Sequence, residues 1–258
     1  MPPTKKSLGQ HWLHDEDSLQ AMCDAVALTS EDSVLEVGPG LGTLTALLTA
    51  QAKDVVAVEF DADLAHELPA RVPAANLDVR QKDILQFDFT IMPVGYVVVA
   101  NIPYYLTSNL IRLLCESSNP FSRAALLVQK EVAERVCAKP GSMSLLSISV
   151  QFYCDVGLGL LVPAELFTPP PKVDSQILIL RRHTTPLFPD VDTKLFFRIV
   201  KAGFAQRRKT LLNSLGAGLS LSREATTALL TQAGIDPGAR AQSLSLEDWF
   251  RLYTLVSV

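Results

Sequence analysis

Short apolar segments alternate with segments of helical pattern along the first two-thirds of this chain, and few folds accommodate that alternation. Five segments rich in Val, Ile and Leu are typical of buried strands: residues 33–37, 55–60, 77–81, 96–100 and 124–129. Helical patterns occupy residues 19–27, 41–51, 63–72, 108–116 and 130–137. Repeated strand–helix units need right-handed crossovers, so the pattern predicts an α/β fold with a doubly wound parallel sheet.

The pattern changes in the last third of the chain. A helix at residues 144–153 and two strands at 155–162 and 176–182 come first, and the strand pair predicts an antiparallel edge on the sheet. Successive prolines at 169–171 predict extended backbone between those strands. Beyond a linker at 186–189, helices are predicted at 193–204, 208–215, 223–232 and 246–254. We therefore expect a catalytic domain at residues 1–186 and a small helical domain at 187–258.

Charge is distributed unevenly between these two parts. The 258 residues have a net charge of −4, but residues 1–180 hold 12 Lys and Arg against 21 Asp and Glu, a net charge of −9. Residues 181–258 hold 11 against 6, a net charge of +5. A basic helical part on an acidic body predicts that the helical part faces an anion.

Cysteine use and hydropathy favour a cytoplasmic protein without a bound metal. The four cysteines are scattered, no C-x-x-C pair occurs, and no clustered Cys and His residues offer the ligands of a zinc site. We expect reduced thiols, which are usual in the cytosol. The basic start of the chain precedes no apolar signal-peptide segment, and no apolar run of 18 residues predicts a membrane span.

A glycine-rich loop follows the first predicted strand, at residues 36–42 (E-V-G-P-G-L-G). Gly38 and Gly40 allow the backbone to approach a ligand at the carboxyl edge of the sheet. The third glycine comes one residue too early for the dinucleotide fingerprint, so an NAD site is disfavoured although still possible. The spacing is instead similar to that of class I S-adenosylmethionine-dependent methyltransferases. Glu59 ends the second strand, where it is suited to bind ribose hydroxyls, and Asp83 follows the third strand, where it is suited to bind an adenine amine.

The fourth predicted strand ends in Asn101-Ile102-Pro103-Tyr104, a signature of methyltransferases that act on nucleobase amines. An exocyclic adenine amine is a poor nucleophile because its lone pair is delocalised into the ring. Acceptors at the Asn101 side chain and the Ile102 carbonyl would favour a tetrahedral nitrogen, and Pro103 would stiffen the turn. Tyr104 offers a ring on which a base can stack, worth ~1–3 kcal/mol.

With these motifs in order, the sequence resembles the small-subunit ribosomal RNA adenine dimethyltransferase family (KsgA/RsmA) over nearly the whole chain. Residues 5–13 are similar to the family's K-x-x-G-Q-N-F-L element, and residues 129–135, 167–175 and 204–213 are similar to later signatures. His11 stands where the family usually has Asn, and Trp12 stands where it usually has Phe.

The resemblance implies dimethylation, from S-adenosylmethionine, of the N6 amines of two adjacent adenosines in the 3′-terminal hairpin loop of 16S ribosomal RNA. It also implies action during small-subunit assembly, and a monomer. The residues matched to the donor site are His11, Leu13, Gly38, Glu59, Asp83 and Asn101, with Gly40 from the glycine loop.

Candidate RNA-binding residues combine this resemblance with the charge distribution. They are Lys5, Lys6 and Lys172 near the active site, and Arg198, Lys201, Arg207, Arg208 and Lys209 in the helical part. Three alternatives stay open: a large-subunit adenine methyltransferase of the macrolide-resistance type, a protein that is chiefly an assembly factor, and a small-molecule methyltransferase. The last leaves the basic helical part unexplained.

Overall fold

The structure, a computed structural model, describes residues 10–257, which form two compact units. The described residues up to Glu134, together with Cys154–Arg182, make up the first unit. Arg135–Tyr153 and the described residues from His183 onward make up the second. No helix within residues 10–257 combines the length and the apolar character needed to cross a bilayer.

The strands all belong to the first unit. In chain order they are β1 (Trp12–Leu13), β2 (Ser33–Val37), β3 (Asp54–Glu59), β4 (Leu77–Gln81), β5 (Val97–Asn101), β6 (Arg123–Gln129), β7 (Cys154–Val162), β8 (Phe167–Thr168) and β9 (Ser175–Arg182). The large sheet has the order β4-β3-β2-β5-β6-β9-β7. Strands β2 to β6 pair in parallel, whereas β9 pairs antiparallel with both β6 and β7. The expected parallel sheet with an antiparallel edge is therefore present.

Helices precede, connect and follow the parallel strands along the chain. They are α1 (Glu16–Ala25), α2 (Thr43–Gln51), α3 (Ala62–Arg71), α4 (Thr107–Glu116) and α5 (Lys130–Val136). The central strands are nearly continuous apolar segments because both faces of the sheet are covered; Val34, Leu35 and Val98 are completely buried. Asp15 and Asp61 cap α1 and α3 by accepting backbone N–H groups, which fixes where these helices begin.

The second unit is helical, with α6 (Leu145–Gln151), α7 (Thr193–Phe204), α8 (Leu211–Leu219), α9 (Arg223–Gln232) and α10 (Leu246–Val256). Its core surrounds Trp249 and Phe196, both 0% exposed. Ser245 caps α10 in a reciprocal capping box with Asp248.

The division between the units differs from the expected boundary after residue 186, because Arg135–Tyr153 belongs to the helical unit. Ile148 and Phe152 are buried in the same core as Phe196, and the rings of Phe152 and Phe196 have centroids 4.8 Å apart. This packing joins segments far apart in the sequence, so the order of elements did not reveal it. Which function each unit performs stays a prediction.

Two further differences concern local structure. The helix predicted at 208–215 begins only at Leu211, so Arg207, Arg208 and Lys209 lie in the turn that follows α7. The short strands β1 and β8 were not predicted; they pair antiparallel, with Trp12 opposite Thr168 and Leu13 opposite Phe167. Two-residue strands carry no periodicity that a sequence pattern can detect.

Candidate active site

A cavity of about 290 Å³ lies at the carboxyl ends of the parallel strands in the first unit. It is the position at which open α/β sheets bind ligands. All the described residues predicted for donor binding and catalysis line it: His11, Leu13, Gly38, Gly40, Glu59, Asp83, Asn101, Ile102, Pro103 and Tyr104. The glycine loop and the Asn101–Tyr104 turn therefore share one space.

The glycine loop leaves β2 and passes closely under β1. Gly40 has φ +56°, a left-handed conformation that favours glycine, and a Cβ atom at this position would lie 2.5 Å from the Trp12 ring. The Gly38 N–H donates to the Val58 carbonyl at 2.9 Å, which ties the loop to β3. Because Gly38 and Gly40 have no side chains, the loop backbone at these two positions can form part of the cavity wall.

Glu59 organises the adjoining part of the site. It is 7% exposed, and its two carboxylate oxygens accept the backbone N–H groups of Gly40 (3.1 Å) and Asp61 (2.9 Å). Burial raises the pKa of Glu59, and these backbone hydrogen bonds oppose the rise. Because each carboxylate oxygen accepts more than one hydrogen bond, Glu59 can still bind two neighbouring hydroxyl groups.

The rest of this end of the cavity combines one acid with apolar surface. Asp83 accepts the Leu85 N–H through Oδ1 at 3.0 Å, which holds its carboxylate at the end of β4. Phe60, Leu85 and Tyr105 line the cavity although 57%, 40% and 63% of their surfaces are exposed. Exposed apolar groups beside carboxylates suit a flat, polar-edged ligand such as adenine.

Glu36 is a buried acid in the cavity wall that sequence analysis did not assign to the site. It is 1% exposed, and burial, together with the nearby Glu59 carboxylate, raises the pKa of Glu36 to about 8. Burial, with smaller contributions from the Asp24 and Glu36 charges, raises the pKa of the Cys23 thiol to about 11. Glu36 is therefore protonated in the folded protein at pH values where a free glutamate is ionised.

Glu36 is expected to make the stability of the protein depend on pH. Its folded pKa of about 8 exceeds the ordinary value of 4.5, so between these values the folded state holds a proton that the unfolded state lacks. The unfolding free energy of the wild type should fall relative to Glu36→Gln by roughly 4 kcal/mol as pH rises from 5 to 8.5. Urea unfolding of both proteins at pH 5 and pH 8.5 measures the difference. If the unfolding free energies of the two proteins change equally with pH, the raised pKa of Glu36 is contradicted.

The Asn101–Tyr104 turn follows β5 and lies beside the glycine loop: a Cβ atom at Gly38 would lie 3.8 Å from Pro103 Cδ. The Ile102 N–H donates to the Leu127 carbonyl at 3.2 Å, and the Leu106 N–H donates to the Pro103 carbonyl at 2.9 Å. Ile102 itself is 1% exposed, so its backbone is fixed by packing. The Asn101 side chain makes no hydrogen bond to another residue in the described part of the chain, which leaves its oxygen available to a ligand.

Tyr104 is partly buried and borders the same cavity. Its hydroxyl lies 2.8 Å from the Ser175 Oγ atom, and its ring stacks with the His11 ring at a centroid distance of 5.8 Å. Burial raises the pKa of the Tyr104 hydroxyl, so the group is neutral at physiological pH. The ring is therefore held at the cavity wall rather than within the core.

Two further aromatic residues of the wall, Trp12 and Phe167, were not assigned from the sequence. Both lie in the β1–β8 pair, whose formation the sequence pattern did not predict.

The predicted RNA-binding residues fall in several places. Lys172 is exposed in the first unit; Arg198 and Lys201 are exposed on α7, and Arg207, Arg208 and Lys209 are exposed in the following turn. Lys5 and Lys6 lie outside the described residues. Within residues 10–257, no group of three His, Cys, Asp or Glu side chains is arranged to hold a metal ion.

The sheet order and its ligand edge define a Rossmann-like methyltransferase, and solved structures agree. A dimethyladenosine transferase from Plasmodium falciparum superposes with a TM-score of 0.82 at 28% identity, covering 96% of this chain and 98% of that one. The 23S rRNA methyltransferase ErmE superposes with a TM-score of 0.76 at 27% identity, covering 96% and 100%. The predicted fold class is confirmed.

Sequence relatives identify the family. The model of the ribosomal RNA adenine dimethylase family matches residues 2–257. Proteins named ribosomal RNA small subunit methyltransferase A are 41% identical in Dehalococcoides mccartyi strain CBDB1 and 39% identical in Bacillus mycoides, covering 96% of this chain and 87% and 89% of those proteins. This chain belongs to the ribosomal RNA adenine dimethylase family, which confirms the predicted enzyme class and implies a methyl donor of the S-adenosylmethionine type.

Proposed function

We propose that this chain dimethylates the N6 amines of two adjacent adenosines in the 3′-terminal hairpin loop of 16S ribosomal RNA, with S-adenosylmethionine as donor. The observation that carries the proposal is the single cavity that joins the Glu59 carboxylate and the glycine loop to the Asn101–Tyr104 turn. Relatives named small subunit methyltransferase A support the choice of ribosomal RNA.

The donor end of the cavity fits S-adenosylmethionine in its chemistry. Glu59 would accept hydrogen bonds from both ribose hydroxyls, and Asp83 would accept one from the adenine amine. The Gly38–Gly40 backbone, with His11, Leu13 and Asn101, would contact the remainder of the donor. When bound, the donor supplies a methyl group on a sulfonium, a good leaving group that makes a strong base unnecessary.

The catalytic turn would bind the target adenine through its amine and its ring. The Asn101 side-chain oxygen and the Ile102 carbonyl would accept the two N–H groups of N6, directing the nitrogen lone pair toward the methyl group. Pro103 restricts the backbone that presents the Ile102 carbonyl. Tyr104 would stack on the base and stabilise positive charge as it develops at N6. These residues therefore contribute orientation and electrostatics.

The basic residues of the second unit would hold the RNA backbone. Loop adenosines are already unpaired, so moving one into the cavity costs only a few kcal/mol of stacking. A charge of +5 over residues 181–258 is modest for tight binding to naked RNA. We infer that the physiological substrate is RNA presented on an immature small subunit, bound by a cytoplasmic monomer.

Replacing Arg207, Arg208 and Lys209 together by glutamine is expected to weaken RNA binding and to flatten its dependence on salt. Each lost phosphate contact should reduce the slope of log K against log salt by about 0.7–0.9. Binding of a hairpin RNA at several salt concentrations measures this slope, and calorimetry should show unchanged donor affinity.

A matched control is the triple glutamine replacement of Lys53, Arg71 and Arg80. These cations are exposed in the first unit, and their removal changes the net charge equally. An equal loss of RNA affinity in both triple variants would show that total charge, rather than the turn after α7, attracts the RNA.

The proposed function is tested by transfer of tritiated methyl groups to small subunits that lack the modification. The expected products are two adjacent N6,N6-dimethyladenosines in the 3′-terminal hairpin, formed faster on immature subunits than on free RNA. Equal rates on both would exclude recognition of a ribonucleoprotein surface. In a parallel reaction with 23S RNA, methylation of that RNA together with none of the small subunit would instead support the macrolide-resistance type. Subunit maturation by the inactive Asn101→Ala variant would indicate chiefly an assembly role.

A further inference from the structure

The Tyr104 hydroxyl has a partner that comes from a distant part of the chain. Ser175 lies 71 residues further along, and its Oγ is 2.8 Å from the Tyr104 hydroxyl oxygen. Tyr104 follows β5, whereas Ser175 begins β9, and β6 lies between these two strands. Ser175 is 0% exposed although its side chain is polar. Burial of a hydroxyl is unfavourable without a hydrogen bond, so the pairing with Tyr104 accounts for the presence of serine in this position.

The backbone around Ser175 is firmly held. Ser175 pairs with Gln129 on β6 and with Val162 on β7, so it has strands on both sides. The preceding residue, Asp174, accepts the Lys130 N–H through its carbonyl (3.0 Å) and the Ala164 N–H through its carboxylate (3.0 Å). The position of Ser175 is therefore fixed, and a hydrogen bond to its hydroxyl can fix the orientation of the Tyr104 ring.

A second contact limits the Tyr104 ring from one side. The His11 ring stacks with it at an interplanar angle of 23°, and His11 Nδ1 lies 2.7 Å from the Pro169 carbonyl oxygen. A carbonyl only accepts hydrogen bonds, so Nδ1 carries the proton and donates it to Pro169. With the hydroxyl and one flank of the ring held, the remaining surface of Tyr104 borders the cavity.

We propose that Ser175 is a positioning residue that fixes the Tyr104 ring plane so that the ring stacks on the target adenine; this rests on the proposed function. Ser175 makes no contact with the substrate and acts only through the Tyr104 hydroxyl. Loss of that hydrogen bond leaves the aromatic surface in place but lets the ring tilt. Methyl transfer requires N6 to be aligned with the donor. A tilted Tyr104 ring misaligns the adenine stacked on it, which slows catalysis without affecting donor binding.

The test is a double-mutant cycle with Tyr104→Phe and Ser175→Ala. Each single variant should lower kcat by about 3- to 10-fold, the effect of one hydrogen bond. The double variant should be no slower than either single variant, because both changes remove the same interaction. Donor affinity should change less than about twofold. Ser18→Ala is the matched control: Ser18 is 2% exposed in the same unit, its hydroxyl donates to Asp15, and neither residue lines the cavity.

Two spectroscopic measurements separate positioning from a merely structural role. With 2-aminopurine at the target position of a hairpin RNA, Ser175→Ala should lose the stacking-dependent quenching that the wild type and Ser18→Ala produce. In labelled protein without RNA, the Tyr104 ring resonances should show slow ring flips in the wild type and faster flips in Ser175→Ala.

The results have distinct meanings for the two proposals. The role of Ser175 would be overturned if Ser175→Ala left both the ring-flip rate and the fluorescence quenching unchanged. It would also be overturned if adding Ser175→Ala to Tyr104→Phe lowered kcat further. A wild-type protein that forms no methyladenosine, yet shows the predicted change in ring flips, would refute the proposed function and leave the Ser175–Tyr104 interaction supported.

Discussion

Replacing Asn101 by alanine is expected to lower kcat for methyl transfer by about 100- to 1,000-fold, the range found when one preorganised polar group is removed from an active site. Asn101 lines the cavity at the end of β5, and its side-chain oxygen is the proposed acceptor for one N6 hydrogen. Without it, the amine keeps its lone pair delocalised in the ring. Single-turnover rates at saturating donor measure the chemical step directly.

The choice of variants tests the acceptor role of Asn101. Asn101→Asp keeps an oxygen at the same position and should lose less activity than Asn101→Ala. Donor affinity in the alanine variant should fall by less than about tenfold, since most of the proposed donor contacts lie elsewhere. Normal single-turnover rates in the alanine variant, or a deficit that saturating donor fully restores, would contradict the catalytic role.

Replacing Glu59 by alanine is expected to weaken donor binding by roughly 1.5–3 kcal/mol, about 10- to 150-fold, through lost charged hydrogen bonds. The Glu59 carboxylate also accepts the Gly40 and Asp61 N–H groups, so part of this loss reflects a displaced glycine loop. Titration calorimetry with the donor measures the affinity without relying on turnover.

Two companion variants separate loss of binding from loss of folding. Glu59→Gln keeps the side-chain shape and one acceptor oxygen, and it should show an intermediate affinity. Glu67→Ala removes an exposed glutamate on α3 in the same unit, whose partner is Arg71, and should bind the donor normally. Wild-type affinity in folded Glu59→Ala would mean that the ribose site lies elsewhere.

The predicted site residues come together because of the geometry of parallel sheets. Glu59, Asp83 and Asn101 each follow or end a different strand, and parallel strands bring their carboxyl ends to one edge. The predicted strand at 77–81 coincides with β4, a partly exposed edge strand with the sequence LDVRQ. The buried strands were clearer: the predicted strand at 33–37 coincides with β2, and the one at 124–129 differs from β6 by one residue. Buried strands need a continuous apolar sequence, which is a local signal.

Interactions between segments that are distant in the sequence could not be predicted from local sequence patterns. The His11–Pro169 hydrogen bond joins residues 158 positions apart, and the Tyr104–Ser175 bond joins residues 71 apart. Phe152 likewise enters the helical core through packing with segments beyond residue 183. Such pairs depend on the folded topology, and no local pattern predicts them. The raised pKa of Glu36 also depends on burial and on Glu59, which lies on the neighbouring strand.

The central claim is that Asn101, Ile102 and Tyr104 hold a flipped adenine beside a donor bound to Glu59. The most direct test is a crystal structure of the protein with S-adenosylhomocysteine and a hairpin RNA carrying the target adenosines. The account predicts the adenine on the Tyr104 ring, with N6 within hydrogen-bond distance of both the Asn101 oxygen and the Ile102 carbonyl and with the donor ribose on Glu59. An adenine bound away from Tyr104, or a nucleoside held outside this cavity, would contradict it.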